Sequence, residues 1–310
     1  MTISPSTSAS TGSRLPSFIV IGAARSGTTA LYRFLRQHPR IFMSRNKEPN
    51  FFAFEGQALD YRGPGAEFVN NSVASLEAYR ALFQDAPEDS VIGEASPLYL
   101  YSPHAPSRIQ ARVPDARLVA ILRNPVEQAY SHYLYARKEM IEPERDFLRA
   151  LDAQDERRAA HWQPLFQYVD FARYNVQLRR YFERFDRAQL KLFLYEDFVA
   201  DPLGVTQEIF RFIGVDDTFV PDVSERSNEG GIPRSALLQA VVMRPNMASK
   251  LAGALLPQGV RRRIRDAISR ANVKRDEIPA DARERLRGEL VENILDLQAL
   301  IGRDLSPWLA

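Results

Sequence analysis

A short loop bracketed by two glycines near the start of the chain has the residues of an anion-binding site. The segment Phe18–Thr29 has the sequence FIVIGAARSGTT. Its apolar first part predicts a strand, and the threonines at its end open a segment with helical apolar spacing. Such a loop directs backbone N–H groups and a helix N-terminus toward a phosphate-like group. An ordinary strand–turn–helix with no ligand remains the alternative for the loop taken alone.

The loop differs from an ATP-binding loop in the position of its cation. The nucleoside-triphosphate form is G-x-x-x-x-G-K-[ST], in which Lys reaches the outer phosphates and Ser or Thr holds magnesium. Here Thr28 follows the second glycine, and the cation, Arg25, lies inside the loop. We therefore expect a phosphate-like anion rather than metal-bound ATP.

An arginine and a serine form a second candidate anion site. The apolar run Leu118–Leu122 predicts a strand that ends at Arg123, and Asn124-Pro125 then begins a helix. Ser131 lies about two turns along that helix, so it can face the arginine. A planar guanidinium and a hydroxyl suit a phosphate dianion. An arginine paired with Glu127 and an ordinary exposed serine explain the same residues equally well.

A third group of residues offers a general base. Glu48 lies in the sequence KEPNFF, beside Phe51, Phe52 and Phe54. A carboxylate with apolar walls has its pKa raised by desolvation and can accept a proton from an attacking hydroxyl. Taken alone, the stretch is better explained by an exposed Lys–Glu pair next to core aromatics.

Other candidate groups are more scattered. Glu94 lies at the end of a predicted strand and could bind an acceptor, hold Arg25 or form a structural salt bridge. His104 lies in a Ser-Pro-His loop and is a reserve base. The chain has no cysteine and four separated histidines, so we expect no metal site.

The candidate residues lie at the ends of predicted strands. Strands separated by helices predict an α/β fold with a central parallel sheet and helices on both faces. Ligands bind at the carboxyl ends of the strands in such a sheet. Residues 44–73 are predicted to be a long functional loop. The predicted strands are Phe18–Ile21, Ser90–Glu94, Arg117–Leu122 and Leu190–Tyr195. Helices are predicted near 75–84, 104–112, 124–139, 146–159, 171–185, 203–213, 234–245, 259–271 and 280–301.

The composition is that of an ordinary globular protein. The 310 residues are 45% hydrophobic and 26% charged, and the net charge of +2 gives no field that favours nucleic acid. Residues 1–14, rich in Ser and Thr, predict a disordered tail, which leaves 15–310 as one domain. No apolar run approaches the roughly 20 residues of a membrane span, so a cytoplasmic protein is expected. The sequence gives no signal for the oligomeric state.

The three groups of residues together resemble the sulfotransferases that use 3′-phosphoadenosine 5′-phosphosulfate (PAPS). The loop at 22–29 is similar to the family's 5′-phosphosulfate loop, and R-N-P-x-x-x-x-x-S from Arg123 to Ser131 is similar to its 3′-phosphate motif. The order and spacing of the two motifs match as well. KEPNFF resembles an element of carbohydrate sulfotransferases and their bacterial relatives. Weaker similarities lie at Leu190–Phe198, which contains Tyr195, and at Gly302–Trp308.

The resemblance implies a fold, a reaction and a set of site residues. The fold would be P-loop-like, in three layers. A sulfuryl group would pass from PAPS to an acceptor hydroxyl, on a carbohydrate or a small-molecule alcohol, without a metal. Glu48 would be the base, and Arg25 would stabilise the leaving oxygen. The nucleotide-binding residues would be Arg25, Ser26, Gly27, Thr28, Thr29, Arg123, Ser131 and Tyr195.

The chain also departs from these relatives. Arg25 stands where many have lysine, and arginine is a poor proton donor. The family's R-K-G nucleotide loop is missing, and Gly231 and Arg234 are predicted to replace it near the 3′-phosphate. Two rival functions stay open, a P-loop kinase of a small molecule and a nucleotide-binding protein without transferase activity. Glu94 and His104 remain alternatives to Glu48 as the base.

Overall fold

A parallel sheet forms the centre of the protein. The computed structural model describes residues 14–224, 232–233, 273–274 and 277–310. The sheet has five strands in the order β2-β3-β1-β4-β5, and each neighbouring pair is parallel. The strands are β1 (Phe18–Gly22), β2 (Ile41–Met43), β3 (Val91–Ala95), β4 (Arg117–Leu122) and β5 (Leu190–Leu194). A separate antiparallel pair joins β6 (Ile232–Pro233) to β7 (Val273–Lys274).

Helices cover both faces of the sheet, which confirms the predicted α/β fold. Before β4 the helices are α1 (Thr28–Leu35), α2 (Phe51–Phe54), α3 (Glu67–Asn70), α4 (Leu76–Ala81), α5 (Leu98–Tyr101) and α6 (Ala105–Arg112). Between β4 and β5 they are α7 (Pro125–Lys138), α8 (Phe147–Asp152), α9 (Gln154–Ala159), α10 (Tyr168–Phe171) and α11 (Tyr174–Phe182). After β5 come α12 (Tyr195–Ala200), α13 (Pro202–Ile213) and α14 (Ala280–Ile301). Short 3₁₀ turns lie at Pro164–Phe166, Arg187–Gln189 and Ser306–Trp308.

Two hydrophobic cores lie on opposite faces of the sheet. Successive side chains of a strand point to opposite faces, and β1 shows this clearly. Ile19 and Ile21 belong to the core under α5, α7, α11 and α14. Phe18 and Val20 belong to the core under α1 and α13. All five residues of β1 are buried, as expected for a parallel strand covered on both sides.

Local signals fix where the site-bearing helices begin. The Asn124 side chain accepts hydrogen bonds from the N–H groups of Val126 and Glu127, and Pro125 occupies the first position of α7. Gly27, with φ of +86°, begins α1 in the left-handed conformation. Since β1 lies between β3 and β4, the loops that follow these strands meet at the carboxyl edge of the sheet.

The structure corrects several element boundaries. β2 was absent from the prediction, and residues 44–73 contain α2 and α3 instead of one long loop. The helix predicted at 146–159 is divided at Ala153 into α8 and α9, and that at 171–185 is preceded by α10. β3 runs to Ala95, one residue beyond the predicted strand, so Glu94 lies inside the strand and not at its end. The helices predicted near 234–245 and 259–271 lie outside the described residues, as does nearly all of the predicted tail.

Within the described part of the chain, no helix is long and apolar enough to cross a membrane. The assignment of 15–310 as one domain stays a prediction.

Candidate active site

A large cavity opens at the carboxyl edge of the sheet. Its volume is about 1710 Å³. The loop after β1, the segment after β2, and helices α7, α12 and α14 all contribute to its lining. The predicted site residues that line it are Arg25, Gly27, Thr28, Thr29, Glu48, Arg123, Ser131 and Tyr195. The fold therefore brings together residues that the sequence separates by up to 170 positions.

The anion-binding loop depends on a glycine. A Cβ on Gly27 would lie 2.9 Å from Cε1 of Phe198, closer than real Cβ contacts, and its φ of +86° disfavours other residues. Thr28 and Thr29 begin α1, so their N–H groups belong to the first helical turn and have no intrahelical acceptor. Ser26 is fully buried, and its N–H donates to the Ala23 carbonyl at 3.3 Å. Ser26 lies outside the set of described residues that line the cavity.

Arg25 is largely buried in the loop and has unused donor capacity. Its guanidinium lies 4.7 Å from the centre of the Tyr135 ring. Its buried Nε has no hydrogen-bond partner among the described residues. Burial lowers the pKa of this guanidinium from its usual value, and the nearby positive charge of Arg123 acts in the same direction. An unpartnered donor on a buried cation is costly without a ligand, so the position favours an anion.

Arg123 connects the second anion site to the first. Its Nη1 donates to the backbone carbonyl of Arg25 at 3.3 Å. Its guanidinium stacks 4.9 Å from the centre of the Tyr195 ring and lies 3.7 Å from a carboxylate oxygen of Glu127. The Glu127 pairing considered from the sequence is thus present, and Arg123 lines the cavity as well. Ser131, only 8% exposed, lines the same cavity.

Glu48 reaches the cavity from an unusual backbone conformation. Its φ is +62°, and its N–H donates to the Ala95 carbonyl at 3.0 Å, which ties it to the end of β3. The carboxylate forms an ion pair with Lys47, and 48% of the side chain is exposed. Its negative charge acts on both Arg25 and Tyr135.

The apolar walls expected beside Glu48 come from other residues. Phe51, Phe52 and Phe54 are buried in the core, where Phe51 stacks on Tyr79 at 4.3 Å between ring centres. They lie outside the described lining of the cavity. The apolar residues that line the cavity include Phe68, Val69, Pro97, Leu98, Leu134, Leu165 and Phe171.

Glu94 is a structural anchor rather than a ligand of Arg25. It is fully buried, and its carboxylate accepts hydrogen bonds from Tyr79 and Tyr99, each at 2.7 Å, and from Ser96 at 3.0 Å. Burial raises its pKa to about 7, although these three donors favour the charged form. Among the described residues it forms no ion pair, so the predicted salt bridge is replaced by hydroxyl donors. Neither Glu94 nor His104, which is exposed at the start of α6, is among the described residues of the cavity lining.

Two residues of α7 were missed as parts of the site. Tyr135 lies one turn after Ser131, and this i, i+4 spacing was the available signal. Burial raises the pKa of its hydroxyl to about 12. His132 lines the cavity, and its Nδ1 has no partner among the described residues. Burial, aided by Arg25, lowers the pKa of its imidazole to about 3, so His132 is neutral at ordinary pH.

Two predicted nucleotide-binding residues, Gly231 and Arg234, lie outside the described residues. Where the structure describes the chain, no cluster of His, Asp or Glu side chains is placed to hold a metal ion.

The fold and site define an α/β protein with two candidate anion-binding groups in one cavity, which the Glu48 carboxylate also lines. The chain belongs to the sulfotransferase family, whose model matches residues 16–219. This membership leaves the small-molecule kinase without support.

Individual relatives agree with the family assignment. The chain is 30% identical over 209 residues to the mouse (Mus musculus) bifunctional heparan sulfate N-deacetylase/N-sulfotransferase 4, covering 65% of this chain and 22% of that protein. It is 27% identical over 202 residues to the mouse heparan sulfate glucosamine 3-O-sulfotransferase 3A1, covering 65% and 46% respectively. The chain therefore spans less than half the length of either curated relative. A crystal structure of a sulfotransferase from Alicyclobacillus acidocaldarius is 30% identical, with a TM-score of 0.75 over 96% of this chain and 100% of that one.

Proposed function

We propose that the protein transfers a sulfuryl group from PAPS to an acceptor hydroxyl and releases 3′,5′-ADP. The observation that carries this proposal is that two candidate anion-binding groups and the Glu48 carboxylate line a single cavity. A donor with phosphates at both its 5′ and 3′ positions needs two such groups. The acceptor would be a carbohydrate or a small-molecule alcohol, and the named relatives, which act on heparan sulfate, support the former.

The described residues fit such a donor. The buried, unpartnered Nε of Arg25 and the first-turn N–H groups of Thr28 and Thr29 are donors suited to a 5′-phosphosulfate. Arg123 and Ser131 would hold the 3′-phosphate, with the Tyr195 ring on the other face of the Arg123 guanidinium. Ser26 is proposed to contribute to binding of the 5′-phosphosulfate indirectly, because it helps to set the shape of the loop after β1. Gly231 and Arg234 are proposed to complete the 3′-phosphate site.

The chemistry needs a proton acceptor and a stabiliser of the leaving group. PAPS supplies an activated sulfur: the acceptor oxygen bonds to it, and the bond from sulfur to the bridging oxygen breaks. Glu48 takes the proton of the acceptor hydroxyl. Arg25 donates to the bridging oxygen, where the electron pair and negative charge collect as 3′,5′-ADP forms. The sulfuryl group carries less charge than a phosphoryl group, so we propose that no metal is required.

A bound acceptor would cover the part of the Glu48 carboxylate that solvent reaches in the structure. The carboxylate is half-exposed and paired with Lys47 in the structure. An acceptor that covers it would exclude water and raise its basicity. His132 is neutral and lies near Arg25, so it can accept a hydrogen bond from the acceptor without adding positive charge.

Nucleotide binding and label transfer test the proposal together. Calorimetry should show that 3′,5′-ADP binds much more tightly than 5′-AMP, because each hydrogen bond to a charged phosphate contributes about 1.5–3 kcal/mol. Arg123→Ala should remove most of the difference. The exposed Arg40, which pairs with Asp89 away from the cavity, is the matched control: Arg40→Ala should leave it unchanged.

The same preparation should transfer ³⁵S from labelled PAPS to an acceptor panel in the presence of EDTA. Equal affinities for the two nucleotides would overturn the 3′-phosphate assignment. Tight 3′,5′-ADP binding without transfer to any acceptor would instead identify a nucleotide-binding protein that lacks the transferase activity. Transfer that stops with EDTA and returns with magnesium would contradict the metal-independent step.

A further inference from the structure

Apolar side chains from helices beside the Glu48 segment line the cavity, together with the polar Asn50. Hydrogen bonds place α3 beside the Glu48 segment, since Asn50 donates to the Ser72 hydroxyl at 3.1 Å and the Val73 N–H donates to the Pro49 carbonyl at 2.9 Å. α5 is adjacent because the Asn50 N–H donates to the Ser96 hydroxyl at 3.1 Å. Phe68 and Val69 of α3 and Leu98 of α5 line the cavity, and its other apolar lining residues include Leu134, Leu165 and Phe171.

Phe68 is the most informative of these side chains. It belongs to the lining of the cavity, yet 46% of it is exposed to solvent. Phe171, which also lines the cavity, is buried and packs edge-on against His132 at 4.8 Å between ring centres. A large exposed aromatic in a concave site contributes to binding when a ligand removes it from water. The lining therefore favours an apolar body on the acceptor.

The charges of the cavity argue against an anionic acceptor. Among the lining residues that the structure describes, the four arginines are balanced by four glutamates: Arg25, Arg123, Arg283 and Arg287 against Glu48, Glu127, Glu277 and Glu284. Two of the arginines are assigned to the nucleotide, and Arg283 pairs with Glu127 at 3.2 Å. A bound donor adds further negative charge, so an acidic acceptor would enter a site that already repels it.

We propose that the natural acceptor is an uncharged alcohol or phenol carried on an apolar body, not an anionic polysaccharide. This inference rests on the proposed sulfuryl transfer and uses the same base, Glu48. The apolar body packs against Phe68, Leu165 and Phe171, and the hydroxyl points to the Glu48 carboxylate. The oxygen of that hydroxyl forms the new bond to sulfur, its proton passes to Glu48, and 3′,5′-ADP leaves with the electron pair of the broken bond.

Matched acceptors test the inference with ³⁵S-labelled PAPS. The probes 2-naphthol and 6-hydroxy-2-naphthoate share a ring system and differ by one carboxylate. Octyl and methyl β-D-glucoside share their hydroxyls and differ in the apolar body, and a heparosan oligosaccharide supplies the polyanion. We expect kcat/KM to be at least about tenfold higher for 2-naphthol than for its carboxylate and for the octyl than for the methyl glucoside.

The outcomes separate this inference from the function on which it rests. Labelling of heparosan in preference to 2-naphthol, or equal rates for the two glucosides, overturns the apolar-acceptor inference and leaves sulfuryl transfer standing. Absence of label on every acceptor, heparosan included, overturns both.

Variants of Phe68 give an independent readout. Because the side chain is half-exposed, Phe68→Ala should fold normally. It should raise KM for 2-naphthol about tenfold and leave 3′,5′-ADP affinity unchanged. The control is Leu295→Ala, which removes a side chain of similar exposure (47%) from α14 outside the described cavity lining and should change neither value. Phe68→Lys should narrow the preference for 2-naphthol over its carboxylate. An unchanged KM in Phe68→Ala would overturn the inference.

Discussion

Arg25 interacts electrostatically with several charged and polar groups of the site. Tyr135 covers one face of its guanidinium, and its charge interacts with Arg123, Glu48 and His132. A lysine could lose its proton in such surroundings, whereas an arginine keeps its charge. Arg25 can therefore stabilise developing negative charge throughout the reaction, and the acid–base role falls to another residue.

In the proposed mechanism, Glu48 takes the role of general base. Glu48→Gln keeps the shape of the side chain and one acceptor oxygen but cannot take a proton. We expect kcat to fall by about 10²–10⁴-fold, the usual contribution of a general base, with 3′,5′-ADP affinity nearly unchanged. Steady-state kinetics on a labelled acceptor and calorimetry give the two values.

Comparison with His104 makes the Glu48 test decisive. His104 is exposed at the start of α6, so His104→Asn should retain near-full turnover. If Glu48→Gln keeps full turnover while His104→Asn loses it, the base has been assigned to the wrong residue. If Glu48→Gln also loses nucleotide binding, Glu48 serves as a structural partner of the Arg25 loop.

At the scale of elements, the junction of β1 and α1 depends on Gly27. Gly27→Ala would force a Cβ against the Phe198 ring and hold a non-glycine residue at φ of +86°. We expect it to lower the free energy of unfolding by about 1–3 kcal/mol and to weaken 3′,5′-ADP binding, because the first turn of α1 must shift. Urea unfolding and calorimetry measure the two effects.

A second glycine serves as the control for this substitution. Gly288 lies in α14, and a Cβ there would meet nothing within 4 Å. Gly288→Ala should raise the free energy of unfolding by about 0.5–1 kcal/mol through helix propensity. Equal stabilities of the two variants would show that the left-handed conformation at Gly27 is not needed.

Elements with strong local patterns could be predicted from the sequence, and those fixed by distant contacts could not. β1 and β4 are continuous apolar runs, and α7 has both an Asn cap and a proline at its start. β2 has three residues, too few to show a period, and exists because it pairs with β3.

In the candidate site, too, residues in local sequence motifs could be predicted, and those that depend on distant contacts could not. Arg25, Arg123 and Ser131 lie in motifs that a reader of the sequence can find. The partners of Glu94 were not predicted, because Tyr79 reaches it from α4 and Tyr99 from α5, and no sequence pattern shows that both side chains point to the carboxylate. The apolar walls were assigned to neighbours of Glu48 in the sequence, whereas Phe68 and Phe171 come from helices elsewhere in the chain.

Across the whole molecule, the buried Glu94 makes stability depend on pH. Burial raises its folded-state pKa from 4.5 to about 7, so the folded protein binds this proton more tightly than the unfolded chain does. Its contribution to stability is full below about pH 4.5 and is lost as the pH rises to about 7. One such group changes the free energy of unfolding by up to about 1.4 kcal/mol per pH unit.

Glu94→Gln should remove this part of the pH dependence. The amide oxygen can accept from both tyrosines, and the amide nitrogen can donate to Ser96. Urea unfolding at pH 5 and pH 7.5 should show that the free energy of unfolding changes less with pH in the variant than in the unmodified protein. Glu183→Gln, a change at an exposed position, should keep the original dependence. If the free energy of unfolding depends on pH in Glu94→Gln as it does in the unmodified protein, the dependence comes from other groups.

The hydrogen bond from Arg123 to the Arg25 carbonyl fixes the separation of the two anion sites. In the proposed complex, a ribose that carries both phosphates loses its translational freedom once and then presents the second phosphate at a high effective concentration. Inorganic phosphate supplied with 5′-AMP must lose that freedom twice. Adding millimolar phosphate to 5′-AMP should therefore not reproduce the affinity of 3′,5′-ADP, although every contact of the cavity with the two phosphates would be available to the pair. In the proposed complex, recognition of the donor thus depends on a distance held by a hydrogen bond from the Arg123 side chain to the backbone, as well as on the charges that line the cavity.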